Sequence, residues 1–177
     1  SNDKKTATKK ITYDTTYGTL PTPVRDGYIF EGWYINESTP KQVTESTHVY
    51  TIVNYTMHAH WKERVSTITF NGNGGTGAMA SQGLKGTVNV TLNANQFTKR
   101  GYTFTGWNTK ADGSGTSYAD KANIKVYSNI TLYAQWKANV YTVTADAEGG
   151  TIPATSGWTL SNDKKTATKK ITYDTTY

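Results

Sequence analysis

His58 and His60 are two side chains whose type and spacing could do chemistry. Residues two apart on a strand point to the same face, so their imidazoles could share a metal ion. No third histidine or carboxylate is brought close by spacing, and an internal repeat puts Tyr133 and Gln135 at the equivalent positions, so surface histidines are expected. Asp112-Gly113-Ser114-Gly115-Thr116 with Asp120 offers oxygens to a hard cation. It lacks the glutamate and the spacing of a calcium loop, and reads as a glycine-rich turn. His48 is the one remaining imidazole, so a Ser-His-Asp arrangement would have to be built from a strand edge. There is no G-x-S-x-G, no phosphate-cradling glycine loop and no carboxylate pair spaced for acid-base work. These observations predict a protein that is not an enzyme and uses no cofactor or metal. Many Lys and Asn could form isopeptide crosslinks, although no motif pairs them, and Asn36, Asn54, Asn89 and Asn129 stand in N-x-[ST] sequons.

The elements that hold these side chains are strands. Five Trp, 13 Tyr, 16 Gly and abundant Thr, with no long apolar run, suit half-buried pleated surfaces. Zero Cys rules out disulfides, Cys-ligated zinc and a thiol nucleophile, so each small module must stand on its apolar core. The net charge of +6 favours solubility and weak attraction to anionic surfaces, and it does not by itself indicate nucleic acid. The pairs Lys4-Lys5 and Lys9-Lys10, with their copies Lys164-Lys165 and Lys169-Lys170, read as solvated strand edges. No segment approaches the roughly 20 apolar residues of a membrane span. With no initiator Met and no signal peptide, the expectation is a stretch of a longer precursor.

Repetition organises the chain at two levels. SNDKKTATKKITYDTTY occupies residues 1–17 and again 161–177, a period of 160 residues. Within that period, GYIFEGW at 27–33 answers to GYTFTGW at 101–107, and MHAHWK at 57–62 to LYAQWK at 132–137. Likewise TFNGNGG at 69–75 answers to TADAEGG at 144–150, an offset of 75. Residues 65–137 therefore read as a complete module, 140–177 as the first part of a divergent one, and 1–62 as the second part of that divergent type, without its first strand. End-to-end continuation follows as an expectation, with residues 140–160 of one copy completing the sheet begun by 1–62 of the next. On that view segments 1–17 and 161–177 should share one backbone conformation, and Phe30 and Trp61 should be under-buried. A continuous polypeptide is favoured over strand donation between chains, because two identical segments cannot fill one slot.

In the complete module, strands are expected at Ser66–Phe70, Thr87–Leu92, Tyr102–Trp107 and Thr131–Trp136, with a single helical turn within Ala94–Arg100. Val88, Val90 and Leu92 share a face, as do Leu132, Ala134 and Trp136, leaving Tyr133 outside. Strict alternation separates Trp107 from Tyr102 and Phe104, and a bulge at Gly106 would reconcile them. Trp33 and Trp107 are read as core or inter-module residues, with a ligand platform as the alternative.

The residues FNGNGG at 70–75, GYTFTGWNT at 101–109, DGSGTSY at 112–118 and LYAQW at 132–136 resemble the Listeria/Bacteroides repeat family, to which the B repeat of the internalin surface proteins belongs. The second module type departs from it, lacking DGSGTSY and carrying GTLPTP before GYIFEGW. The resemblance implies a β-dominated α+β fold: small β-grasp, ubiquitin-like modules in an elongated tandem array on extracellular or wall-attached bacterial proteins. It implies a stalk, spacer or filament, with an adhesin for glycan or anionic wall polymer as the alternative. The partners expected are neighbouring copies end to end, with no nucleic acid and no membrane span in this stretch. Trp33, Trp107, Tyr133 and His58 are the candidate ligand or inter-module contacts.

Overall fold

The computed structural model describes residues 5–36 and 38–174, and within them every regular element is a strand. Thirteen strands follow the chain: β1 (Tyr28–Ile35), β2 (Lys41–Val43), β3 (His58–Glu63), β4 (Val65–Asn71), β5 (Gln82–Lys85), β6 (Asn89–Thr91), β7 (Tyr102–Asn108), β8 (Ser117–Tyr118), β9 (Asn123–Lys125), β10 (Ile130–Ala138), β11 (Val140–Asp146), β12 (Thr159–Leu160) and β13 (Thr166–Thr172). They form sheets in the orders β2-β1-β3, β5-β4-β10-β7-β8 and β11-β13-β12, with β6 and β9 as a separate pair. Two compact units result, residues 1–66 with 84–89 and residues 67–83 with 90–177.

The five-stranded sheet is closed at its centre by a parallel pair, β4 against β10, with Ile68 opposite Ile130 and Phe70 opposite Leu132. Antiparallel β7 flanks β10 on the other side. Alternation along β4 buries Ser66, Ile68 and Phe70 and exposes Val65, Thr69 and Asn71. Opposite Gln135 and Trp136 the register of β7 skips Thr105, so a bulge sits where Gly106, at φ 141°, takes a conformation that side chains disfavour. The bulge turns Trp107 inward, and it is fully buried with Ile68, Leu92, Leu132 and Ala134. Phe70, Phe97 and Phe104 surround its ring at centroid distances of 4.9, 6.2 and 5.1 Å.

The same device recurs at β1, where the register skips Glu31 and Gly32 has φ 146°. Phe30 again bridges two Trp rings, 5.6 Å from Trp33 and 5.5 Å from Trp61, as Phe104 bridges Trp107 and Trp136. Phe30 and Trp61 are half-buried, but so are Phe104 and Trp136, so the expected under-burial does not separate the modules there. It falls on Trp33, which is half-buried where Trp107 is sealed. The counterparts of Phe70 and Phe97 are Ala145 and Pro23, so the rings that close over Trp107 have no aromatic equivalents.

Two expectations are corrected. No helix forms among the described residues, so the α component is absent from them. At Ala94–Arg100 the Asn95 side chain accepts from the Phe97 amide at 2.9 Å, and Thr76 and Thr98 exchange backbone hydrogen bonds of 2.7 and 2.9 Å. An Asx turn and a β-bridge thus take the groups a helical turn would need. Nor do the duplicated segments share one conformation: TATKKIT at 166–172 is β13, paired along its whole length with β11, while TATKKIT at 6–12 is irregular. Strand formation depends on a neighbour that satisfies the backbone, and among the described residues the first copy has none beside it. The turn that follows does match, with Asp14 at φ 60° and Asp174 at φ 61°.

Replacing Trp107 by Ala is expected to destabilise the complete module by about 3–5 kcal/mol. Trp33→Ala should cost roughly 1–2 kcal/mol, since less apolar surface leaves water there. Urea unfolding read by amide exchange at β10 and β3 distinguishes them; equal losses would mean that the burial difference carries no energy.

Candidate functional site

Two places gather polar and aromatic side chains, one in each unit. In the first unit, an open groove of about 480 Å³ is lined by Tyr17, His48, Tyr50, Thr51 and Tyr55. Tyr17 and Val43 of its lining belong, with Val49, to a small buried cluster against which Ile11, Leu20, Trp33, Ile35 and Met57 pack. Residues 14–18 run beside 45–49: Asp14 N–H donates to Val49 O at 2.8 Å, Tyr17 N–H to Thr47 O at 3.1 Å, and Gly18 N–H to Glu45 O at 2.9 Å. The Tyr17 and Tyr55 hydroxyls are hydrogen-bonded to each other. Burial, helped by the Tyr17 hydroxyl, pushes the Tyr55 phenol above its usual range. His48 lies 3.7 Å from the Asp14 carboxylate and stacks on Tyr50 with ring centroids 5.7 Å apart.

In the second unit, the Lys110–Ser117 loop is organised by a buried amide. Asn108 donates through Nδ2 to Gly113 O, Gly115 O and Ser117 Oγ at 3.0, 3.2 and 2.9 Å. Its Oδ1 accepts from the Lys110 and Gly115 amides at 2.8 and 3.0 Å. Asp112 is spent on the turn itself, accepting from Ser114 N–H at 2.9 Å, and Asp120 accepts from Asn95 N–H at 2.9 Å. The Ser114 hydrogen bond holds the Asp112 carboxyl below its usual range. Asp163 is lowered in the same way, first by the Ser161 hydroxyl and then by the Lys165 amide. Asn73, at φ 48°, ties this region together by donating to Ala111 O at 2.8 Å and Ala134 O at 3.0 Å. Nearby, a Cβ on Gly75 would meet the Trp136 ring at 2.7 Å, so the Gly-Gly turn is a close approach.

The four candidate contact residues are not gathered into one site. Trp107 is wholly buried, so its ring is no ligand platform. Trp33 is half-buried and donates its indole N–H to Pro21 O at 2.8 Å. Tyr133, expected outside, is half-buried on β10 opposite Asn108. His58 is exposed on β3 opposite Tyr34, whose ring stacks at 4.0 Å on His60. No group of three or more His, Asp or Glu able to hold a metal is found among the described residues. Sequence reasoning missed Asn108, whose signal was an Asn directly after the Trp of GYTFTGW and before a turn. It also missed two matching joints. Arg64 N–H donates to Gly27 O at 2.8 Å while Arg64 O accepts from Gly86 N–H at 3.0 Å; Asn139 N–H donates to Gly101 O at 2.9 Å while Asn139 O accepts from Tyr173 N–H at 2.8 Å. A cation sits over the aromatic ring beside each joint, Arg25 over Tyr28 at 3.7 Å and Lys99 over Tyr102 at 4.4 Å.

The Listeria-Bacteroides repeat domain matches residues 1–60 and again 67–135. The chain belongs to the Listeria-Bacteroides repeat family. A curated relative from Evansella cellulosilytica, named as a Gly-rich membrane protein, is 34% identical over 137 residues, 71% of this chain and 16% of its own length. Another from the same organism, named as a membrane protein, is 34% identical over 122 residues, 66% of this chain and 18% of its own. The chain thus spans less than a fifth of these relatives. No solved structure matches it. No helix among the described residues is long and apolar enough to cross a membrane.

In this repeat the buried amide should matter more than the exposed carboxylates around it. Asn108→Ala leaves the Lys110 and Gly115 amides unpaired and is expected to destabilise the loop by about 2–3 kcal/mol, raising exchange at both amides. Asp112 and Asp163 have folded pKa values below those of the unfolded chain. Their support for the two turns is therefore complete above about pH 4 and is lost as pH falls through the folded values. The Ser114 and Lys165 amide resonances should titrate in that acid range, and their constancy down to pH 2 would remove the carboxylates from the turns.

Proposed function

We propose that this chain is a structural repeat of an extracellular bacterial surface protein, in which β-grasp-like modules follow head to tail with a 160-residue period to form a stalk, spacer or filament. It performs no catalysis, and its partners are neighbouring copies of itself. The observation that carries this reading is the pair of joints at Arg64 and Asn139. Each is a single residue whose N–H donates to the glycine of the GYxF motif and whose C=O accepts from the residue that follows β5 or β13, the strand beside β4 or β11. A joint residue whose main chain is hydrogen-bonded on both sides is unlike a flexible tether, and this supports the stalk reading. The parallel pairing of β4 and β10, the first and last strands of the complete module, supports the β-grasp reading. The family and the names of the curated relatives support a place at the cell surface.

A second reading, adhesion to glycan or wall polymer, draws on the tyrosine-lined groove of the first unit. Electron microscopy of the full-length surface protein separates the two. A rod with longitudinal periodicity is expected; globular particles, or glycan-array binding abolished by Tyr50→Ala in a folded chain, would favour adhesion.

A further inference from the structure

Two sheets of this chain are open on complementary edges. Among the described residues β3 pairs with β1 alone, and β11 pairs with β13 alone. In the complete module the equivalent strands are β10 and β4, and these are the parallel pair at the centre of its sheet. Exposure follows the difference. Ile68 is fully buried, but its counterpart Val143, 75 positions on, is 39% exposed, with Tyr141 and Val140 at 48% and 55%. On the other side Leu132 is fully buried, and its counterpart Met57 is half-buried.

The groove of the first unit has the same origin. Val49 and Thr51 answer to Ile124 and Val126, which line the sealed core of the complete module. Tyr17 takes the place of Leu92: Tyr17 N–H donates to Thr47 O as Leu92 N–H donates to Ala122 O. The tyrosine-lined groove thus stands where the complete module has its sealed core.

The duplicated segment bears on how that module is completed. Its first half is regular only at 166–172, as the strand beside β11, in the place that β5 takes beside β4. Its second half in the first copy seats Tyr17 in the core and bridges Thr16 to His48, in the place of β6 against β9. Gly86 after β5 and Tyr173 after β13 both donate to the joint residue. The two copies therefore perform different halves of one job. On this placement they need not compete for one slot.

We infer that residues 140–174 of one copy and 13–63 of the next fold into a single module, with β3 laid parallel against β11. Transferring the β4–β10 register by 75 positions puts Tyr55 opposite Val143, Thr56 opposite Thr144, Met57 opposite Ala145 and His58 opposite Asp146. The resulting sheet order, β12-β13-β11-β3-β1-β2, sets β13, β11, β3, β1 and β2 in the order of β5, β4, β10, β7 and β8, with β12 added at the outer edge. This rests on the head-to-tail reading and specifies its interface.

The full chain, which contains no Cys, allows a clean test. The variant carrying Thr56→Cys and Thr144→Cys has both thiols at exposed positions that the register brings face to face. A control carrying Thr56→Cys and Thr142→Cys is two residues out of register. Its Cα atoms then lie about 8 Å apart, beyond the reach of a disulfide. Under mild oxidation the first is expected to give a ladder of covalent multimers at least tenfold faster than the control. Equal rates, no ladder, or disulfide-linked monomers alone would overturn the proposal. Independently, Val143→Lys should weaken the concentration-dependent association of the unmodified chain, read by sedimentation, by at least tenfold while β4 and β10 keep their amide protection; unchanged association would also overturn it. Failure here with rods still seen by microscopy would reject this joint and leave the structural role standing; failure of both would reject that role as well.

Discussion

A strand is half of a structure, because its backbone N–H and C=O groups need a neighbour that the strand cannot supply for itself. In this chain the neighbour that decides the rest is distant in sequence. β4 and β10 lie some sixty residues apart, and their parallel pairing brings Ile68, Phe70, Leu132 and Ala134 onto one buried face. Trp107 is sealed only because both strands are present, and the Phe70 ring closes over it. On β11, which pairs with β13 alone among the described residues, Val140, Tyr141 and Val143 remain exposed.

That dependence sets how far the sequence could be read. Local signals were sound. The alternating residues of Ser66–Phe70 and Thr131–Trp136 mark β4 and β10, and Gly106 marks the bulge that turns Trp107 inward. Turn chemistry at Asp112-Gly113-Ser114-Gly115 is equally local. Two things were not legible. The Asn95 side chain competes with a helical turn through a single hydrogen bond, which a count of polar residues does not reveal. The fate of TATKKIT was not in the segment at all, since the identical residues are β13 beside Val140–Asp146 and irregular at 6–12.

The candidate site divides along the same line. Histidine spacing and oxygen-rich turns drew attention as possible metal positions, and the structure stacks His60 on Tyr34 and sets Asp112 and Asp120 to accept from backbone amides. The residues that carry the functional reading, Arg64 and Asn139, have no family signature, because they act through the main chain. Any residue but proline would offer the same N–H and C=O. A joint built from backbone is invisible to residue type and appears only once both of its partners are placed.

The direction of the central pair has a mechanical consequence. The polypeptide enters the complete module at the first residue of β4 and leaves it at the last residue of β10, and the two strands point the same way. Tension on the chain therefore drags them past each other along their length. Every hydrogen bond between them must yield together, whereas an antiparallel hairpin pulled from its open end would unzip one bond at a time.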